Sequence, residues 1–235
     1  KLFIKAVKVN PKGFEALNNL GTIHLRNKNY DLAIKCLNKS LEIKNNYVPS
    51  INNLAGYYHK ANKPKQALEF SSRSMDLQPE NPMTKNQYAK ALIINSRPDE
   101  AIVILEKLIE DFPENDDFKF NLSSAYREMG EFKKANKIAS EGFKKNYKKI
   151  PYLLSYTSEK ENKLDDKHIK YYDELLSGEE ISPEDKVVIY HSFFNYFKNN
   201  KNYKKAGKYL VEGNTKQYSM KAFDIEQEKQ FFMKI

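Results

Sequence analysis

Apolar residues recur along this chain at helical spacing in short runs, and the runs themselves recur. Leu17, Leu20, Gly21 and His24 fall on one face of a predicted helix. An Asn27-Lys28-Asn29 turn follows, and Tyr30, Ala33, Leu37 and Leu41 mark one face of a second helix. The pattern returns with Ile51, Leu54, Tyr58, Ala67 and Met75, then with Tyr88, Ala89, Leu92, Ala101, Leu105 and Leu108, then with Leu122, Ser123, Tyr126, Phe132, Ala135 and Phe143. Ala33, Ala67, Ala101 and Ala135 are equally spaced, and the columns Leu20/Leu54/Tyr88/Leu122, Gly21/Ala55/Ala89/Ser123, Tyr30/Pro64/Pro98/Phe132 and Asn45/Pro79/Pro113/Tyr147 keep the same step.

Each period reads as two amphipathic helices joined by a short turn. Small residues in the Gly21 and Ala33 columns let the two helices approach closely, because extra volume at a packed crossing costs ~1–3 kcal/mol. A single hairpin cannot cover its own apolar face, so neighbouring hairpins stack. A gap-free 34-residue period with small, aromatic and Pro columns in this order resembles the tetratricopeptide (TPR) repeat. The resemblance implies an all-α, right-handed superhelical solenoid of antiparallel hairpins with a concave groove. The expected units are 14–47, 48–81, 82–115 and 116–149, preceded over 1–13 by the second helix of a cut repeat.

Beyond Tyr147 the period slips. A degenerate repeat is expected over 150–181, with a short helix at Pro151–Thr157 and another at Asp165–Ser177 stopped by Gly178. A second degenerate repeat, 182–214, opens on Ser182-Pro183-Glu184-Asp185, a helix start with a cap, a first-position Pro and acids in the first turn. Val187, Tyr190, Phe193, Phe194 and Phe197 follow at helical spacing. Tyr203 and Ala206 then restore the Tyr-x-x-Ala spacing, with Ala206 slightly more than two periods after Ala135, which implies a small insertion. Over 215–235 the expectation is a connector at Lys216–Tyr218 and a terminal helix at Asp224–Ile235.

The chain has 235 residues with 40% hydrophobic content, enough for an ordered repeat domain, and no apolar run that would span a membrane. The single cysteine, Cys36, excludes an intramolecular disulfide and any multi-cysteine metal site, and it reads as a packed side chain of a cytoplasmic protein. Net charge is +9, spread over the whole chain except for one cluster: Lys133, Lys134, Lys137, Lys144, Lys145, Lys148 and Lys149, with Glu141 the sole acid among them. This basic surface reads first as a solvated helix face and second as a contact for an acidic partner, an anionic membrane or nucleic acid.

Catalytic chemistry finds no support in the motifs. Gly207-Lys208 lacks the remainder of a phosphate loop, the four histidines are scattered, and Asp165-Asp166 and Glu179-Glu180 stand at helix starts and turns, where carboxylates cap. No cofactor and no metal are expected in this chain. What does stand out is amide-bearing columns on the predicted first helices: Asn19, Asn53, Gln87 and Asn121, beside Asn18, Asn52 and Asn86. In a TPR solenoid these positions face the groove. An amide both donates and accepts, so a ladder of amides could hold the backbone of an extended peptide. With Lys90 these residues form the candidate peptide groove. Asn18-Asn19-Leu20-Gly21 and Asn52-Asn53-Leu54-Ala55 resemble the repeats of O-linked N-acetylglucosamine transferases. Replacing Asn19 and Asn53 with Ala is expected to weaken peptide binding and leave the helices intact. The basic clamp that chaperone-tail TPR domains close on a terminal carboxylate is not expected: Asn53 fits one position, but Asn18, Thr22, Met83 and Gln87 occupy the others without Lys or Arg.

The stretch Ser182-Pro183-Glu184-Asp185, Tyr203-Lys204-Lys205-Ala206, Leu210-Val211-Glu212-Gly213-Asn214, Phe223-Asp224, Glu228, Phe231, Phe232 and Ile235 resembles the segment between repeats and catalytic domain in bacterial TPR–sulfotransferase proteins. Phe193 and Phe194 depart from the Leu-Gly frequent in that family. The resemblance implies a sulfotransferase domain as a neighbour, with a Gly-x-x-Arg-Ser-Gly-Thr loop for the phosphosulfate donor; this chain holds no such loop. The expected function is a non-catalytic, protein-binding scaffold, the interaction region of a sulfotransferase-like protein. A free-standing adaptor in an assembly or secretion pathway is the alternative. A nucleic-acid-binding repeat ranks last, because the Tyr and Phe residues that would stack on bases sit in packing columns.

Overall fold

The computed structural model describes residues 13–232, with side chains through Met220. The helix expected at Lys1–Asn10 and the last three residues of the one expected to end at Ile235 lie outside that range. Every regular element among the described residues is a helix: α1 Phe14–Arg26, α2 Tyr30–Ile43, α3 Val48–Lys60, α4 Pro64–Leu77, α5 Pro82–Ile94, α6 Pro98–Asp111, α7 Asp116–Glu128, α8 Phe132–Lys145, α9 Ile150–Ser158, α10 Asp166–Ser177, α11 Pro183–Asn199 and α12 Tyr203–Phe232. The chain divides into two compact units, one ending at Glu131 and one beginning at Phe132.

The first unit contains α1 to α7. Asparagine caps open α5 and α7, and prolines open α4, α5 and α6. Asn81 and Asn115 accept backbone N–H bonds from Met83 and Asp117 at 2.9 and 3.0 Å, and Pro64, Pro82 and Pro98 occupy first helical positions, where a missing N–H goes unused. The first helix of each hairpin, α1, α3, α5 and α7, ends on a repeated device. Lys28, Asn62, Ser96 and Gly130 all have positive φ, between 50° and 77°, and each stands one period after the last. In each turn the next residue's N–H reaches the carbonyl five residues back: Asn29 to His24, Lys63 to Tyr58, Arg97 to Leu92 and Glu131 to Tyr126, at 2.8–3.0 Å. Lys201 repeats it in the second unit, with Asn202 N–H on Phe197 O at 2.8 Å. It follows Gly130 by the same offset that separates Ala206 from Ala135.

The core follows the small-residue columns. Ala33, Ala67 and Ala101 are fully buried, as are Leu54, Ala55 and Ala89. Leu37, Leu41, Ile51 and Leu54 form one cluster, with Leu25, Ile34, Tyr47, Tyr58 and Phe70 packed on it. At Gly21 a methyl group would stand 2.7 Å from Leu37 Cγ, so the glycine is what lets α1 and α2 close on a leucine.

In the second unit, Asp165 caps α10 with a box: its carboxylate accepts from His168 N–H at 2.8 Å while the His168 ring takes the Asp165 N–H. Ser182 caps α11 by accepting from Asp185 N–H at 3.0 Å. Gly178 ends α10 in extended backbone, not in a left-handed turn. The aromatic core of this unit includes Phe143 stacked on Tyr156, with Tyr172 and Phe193 fully buried. One expectation is corrected here. No connector interrupts the chain at Lys216–Tyr218: α12 runs without a break to Phe232. Lys216-Gln217-Tyr218 contains neither Gly nor Pro, and nothing in it opposes propagation of the helix.

Candidate functional site

Three first-helix amides bond backwards across the first unit by the same step. Asn53 Nδ2 donates to Asn18 Oδ1 at 2.9 Å, Gln87 Nε2 to the Asn52 carbonyl at 2.8 Å, and Asn121 Nδ2 to Asn86 Oδ1 at 2.7 Å, each 35 residues back. The step is one period plus one residue, so α1, α3, α5 and α7 lie in series and each is tied to the last through its side chains. Asn53 also donates to Thr22 Oγ1 at 3.0 Å. Asn18 Oδ1 sits 3.1 Å from Ser50 Oγ, which is 2.9 Å from Ser40 Oγ, and Ser40 donates to the Phe14 carbonyl at 2.8 Å. Asn52 Oδ1 accepts from Ser74 Oγ at 2.6 Å. The serines thereby carry the network from the first helices to the second.

These bonds divide the predicted groove set. Asn18 is 6% exposed and Asn86 and Asn121 are 7% exposed; all three are buried staples between repeats. Asn52, Asn53, Gln87 and Lys90 are half-buried at the surface of the first-helix face, and Asn19 is exposed, its Oδ1 3.3 Å from Asn18 Nδ2. Asn53 has both amide hydrogens committed inward, so toward a ligand it is an acceptor only. Gln87 keeps one N–H and its carbonyl oxygen.

Electrostatics single out the α3/α5 part of this face. Burial lowers the Lys90 pKa, Asp117 on α7 opposes that, and Lys60 adds to it. His59 is also pushed down, first by burial and then by Lys90 and Lys60. His59 and Lys60 carry no sequence signal by residue type; they emerge only from the register, one turn beyond Gly56 on the face that holds Asn52 and Asn53.

The predicted basic surface belongs to the second unit. Lys133, Lys134, Lys137, Lys144 and Lys145 on α8, and Lys148 and Lys149 after it, are all exposed. Lys148 Nζ stands 5.5 Å over the Tyr171 ring. The two predicted sites therefore belong to different units, the amide face to the first and the lysines to the second.

Models of the tetratricopeptide repeat match residues 14–80 and 92–153, together more than half of the chain. The chain is a tetratricopeptide-repeat protein, an all-helical fold whose repeats serve as protein-interaction scaffolds. Over 127 residues it is 28% identical to anaphase-promoting complex subunit 3 of Schizosaccharomyces pombe, covering 54% of this chain and 19% of that protein. It thus spans about a fifth of that relative's length. A tetratricopeptide repeat protein from Parabacteroides merdae has a similar fold, with a TM-score of 0.69 at 12% identity, covering 94% of this chain and 87% of that one. PilW, a widely conserved type IV pilus biogenesis factor, is similar with a TM-score of 0.65 at 15% identity, covering 85% and 91%. No described helix is long and apolar enough to cross a membrane.

Proposed function

We propose that the first unit holds an extended segment of a protein partner on the face formed by α1, α3, α5 and α7, and that the chain is a non-catalytic interaction region. The observation that carries this reading is the inward commitment of the amide column. Its bonds fix the spacing of successive first helices, while Asn19, Asn53, Gln87 and Lys90 keep unused polar atoms at the surface. Such a surface offers acceptors and donors at repeat spacing, which suits peptide backbone more than any one side chain. The test is a photo-crosslinking amino acid placed at Gln87, at Asn19 or at Lys137, challenged with a peptide selected by display on the intact chain. Crosslinks from positions 87 and 19 are expected; crosslinks from 137 alone would overturn the reading.

The finer proposal is that a sulfotransferase domain follows in the parent polypeptide and that this face presents its substrate. It is supported by the ordered match from Ser182 to Ile235. The mass of the native polypeptide and its sequence past Ile235 decide it: a Gly-x-x-Arg-Ser-Gly-Thr loop is expected, and a polypeptide lacking it would refute the proposal.

A second reading, a free-standing adaptor in an assembly or secretion pathway, is favoured by the exposure of all seven lysines of the basic cluster. The names of two relatives, an anaphase-promoting complex subunit and a pilus biogenesis factor, point the same way. Partner binding that falls steeply with salt and is lost in Lys133→Gln/Lys137→Gln would select this reading.

A further inference from the structure

Within the first unit α3 and α5 lie side by side. Gln87 Nε2 bonds the Asn52 carbonyl at 2.8 Å, and a methyl group at Gly56 would stand 3.8 Å from that nitrogen, with nothing else within 4 Å. One turn further along come His59 and Lys60 on α3 and Lys90 on α5, so these three share the next layer of the same face. The layer beside Gly56 is open, and the layer beyond it is cationic.

Within α3 and α5 the charge is one-sided. Neither α3, VPSINNLAGYYHK, nor α5, PMTKNQYAKALII, contains an acidic residue. Among the described residues no carboxylate forms an ion pair with His59, Lys60 or Lys90, whereas Lys85 on α5 does pair, with Glu80 at 3.1 Å. Asp117 acts on Lys90 from α7 without closing a salt bridge. Burial weakens the hold of both Lys90 and His59 on their protons; Lys90 and Lys60 weaken it further at His59, whereas at Lys90 Asp117 opposes the effect more than Lys60 adds to it. Lys90 is half-buried and, among the described residues, forms no salt bridge, so it attracts an anion more strongly than a surface lysine does, because the local dielectric is lower; exposed Lys60 adds charge beside it, and His59, whose charged form is disfavoured, offers a ring N–H.

We propose that His59, Lys60 and Lys90 form an anion subsite that receives the carboxylate side chain of an acidic residue in the bound peptide. The inference rests on the first-helix face being a peptide site. Gly56 gives the peptide backbone room to approach, the Gln87 amide meets that backbone, and the acidic side chain reaches one turn along to Lys90 and Lys60. The peptide class selected is extended and acidic.

The test uses the full chain and two fluorescein-labelled dodecapeptides, one of alternating Glu and Gly and one of alternating Gln and Gly, followed by anisotropy. The Glu peptide is expected to bind about tenfold more tightly than the Gln peptide. Lys90→Gln should remove that preference, Lys90→Arg should keep it, and Lys133→Gln/Lys137→Gln should leave it unchanged; circular dichroism confirms that each variant is folded. Equal binding of the two peptides, or a preference that survives Lys90→Gln, overturns the subsite. Gly56→Leu separates failure of the subsite from failure of the whole face. If it abolishes binding of both peptides while the wild type binds them alike, the face binds peptide and the subsite is wrong. If Gly56→Leu and Lys90→Gln both leave the Glu peptide bound while the α8 variant loses it, subsite and face fail together.

Discussion

The side-chain amide of Asn53 reaches back 35 residues to Asn18 Oδ1 at 2.9 Å and spans two repeats by doing so. Asn18 is nearly inaccessible, and its oxygen also lies 3.1 Å from Ser50 Oγ. Truncating Asn18 leaves donors without an acceptor inside the unit, which costs ~1–3 kcal/mol for a buried group. Asn18→Ala is therefore expected to lower stability by about that amount, while Asn19→Ala, at an exposed position, stays within about 0.5 kcal/mol. Urea unfolding of both variants checks this. An Asn19→Ala loss as large as that of Asn18→Ala would contradict the staple. Asn53→Ala acts on stability as well as on any ligand, so the Asn19/Asn53 double variant expected to spare the fold does not isolate binding.

The hairpin turns offer an independent prediction. Ser96 has φ of +58° and Gly130, at the equivalent position one period on, has +77°. A left-handed conformation costs an L-residue ~1–2 kcal/mol and glycine little. Ser96→Gly is expected to raise the melting temperature, with a gain of about 1 kcal/mol. Gly130→Ala is expected to lower it by a similar amount, since open space around the site does not relieve the backbone. Thermal melts with opposite signs support the shared turn; changes of the same sign would contradict it.

His59 predicts a pH response. Its folded pKa lies below the ordinary imidazole value of about 6.5 because burial, Lys90 and Lys60 disfavour the cation. The unfolded chain therefore takes up the proton first as pH falls. The stabilising contribution is intact above the unfolded value and is lost as pH drops through the folded one. Stability is expected to decline below about pH 6.5, and His59→Gln should flatten that decline. A profile unchanged by His59→Gln would contradict the assignment.

Much of the fold is legible in the sequence because a constant period fixes register. The columns of Ala33, Leu20 and Gly21 locate α1 to α8, and Ser182-Pro183 and Asp165 mark helix starts in the less regular part. The left-handed turns lack a glycine signature, because three of the four in the first unit carry Lys, Asn or Ser in its place. The uninterrupted α12 does not follow from repeat spacing, which suggests a break at Lys216–Tyr218 where no residue stops a helix. At the site, the sequence locates the amide columns but not their direction. Whether Asn18, Asn86 and Asn121 face a ligand or one another depends on the 35-residue contact between neighbouring first helices, which only the packed unit sets.

Ligand binding is assigned to the first-helix face. The decisive experiment is calorimetric titration of a display-selected peptide into wild type, Gln87→Ala/Lys90→Gln and Lys133→Gln/Lys137→Gln. Binding is expected to weaken at least tenfold in Kd, about 1.4 kcal/mol, in the first double variant and to stay unchanged in the second. Unchanged affinity in Gln87→Ala/Lys90→Gln, with loss in Lys133→Gln/Lys137→Gln, would contradict that assignment and move the site to the lysines of the second unit.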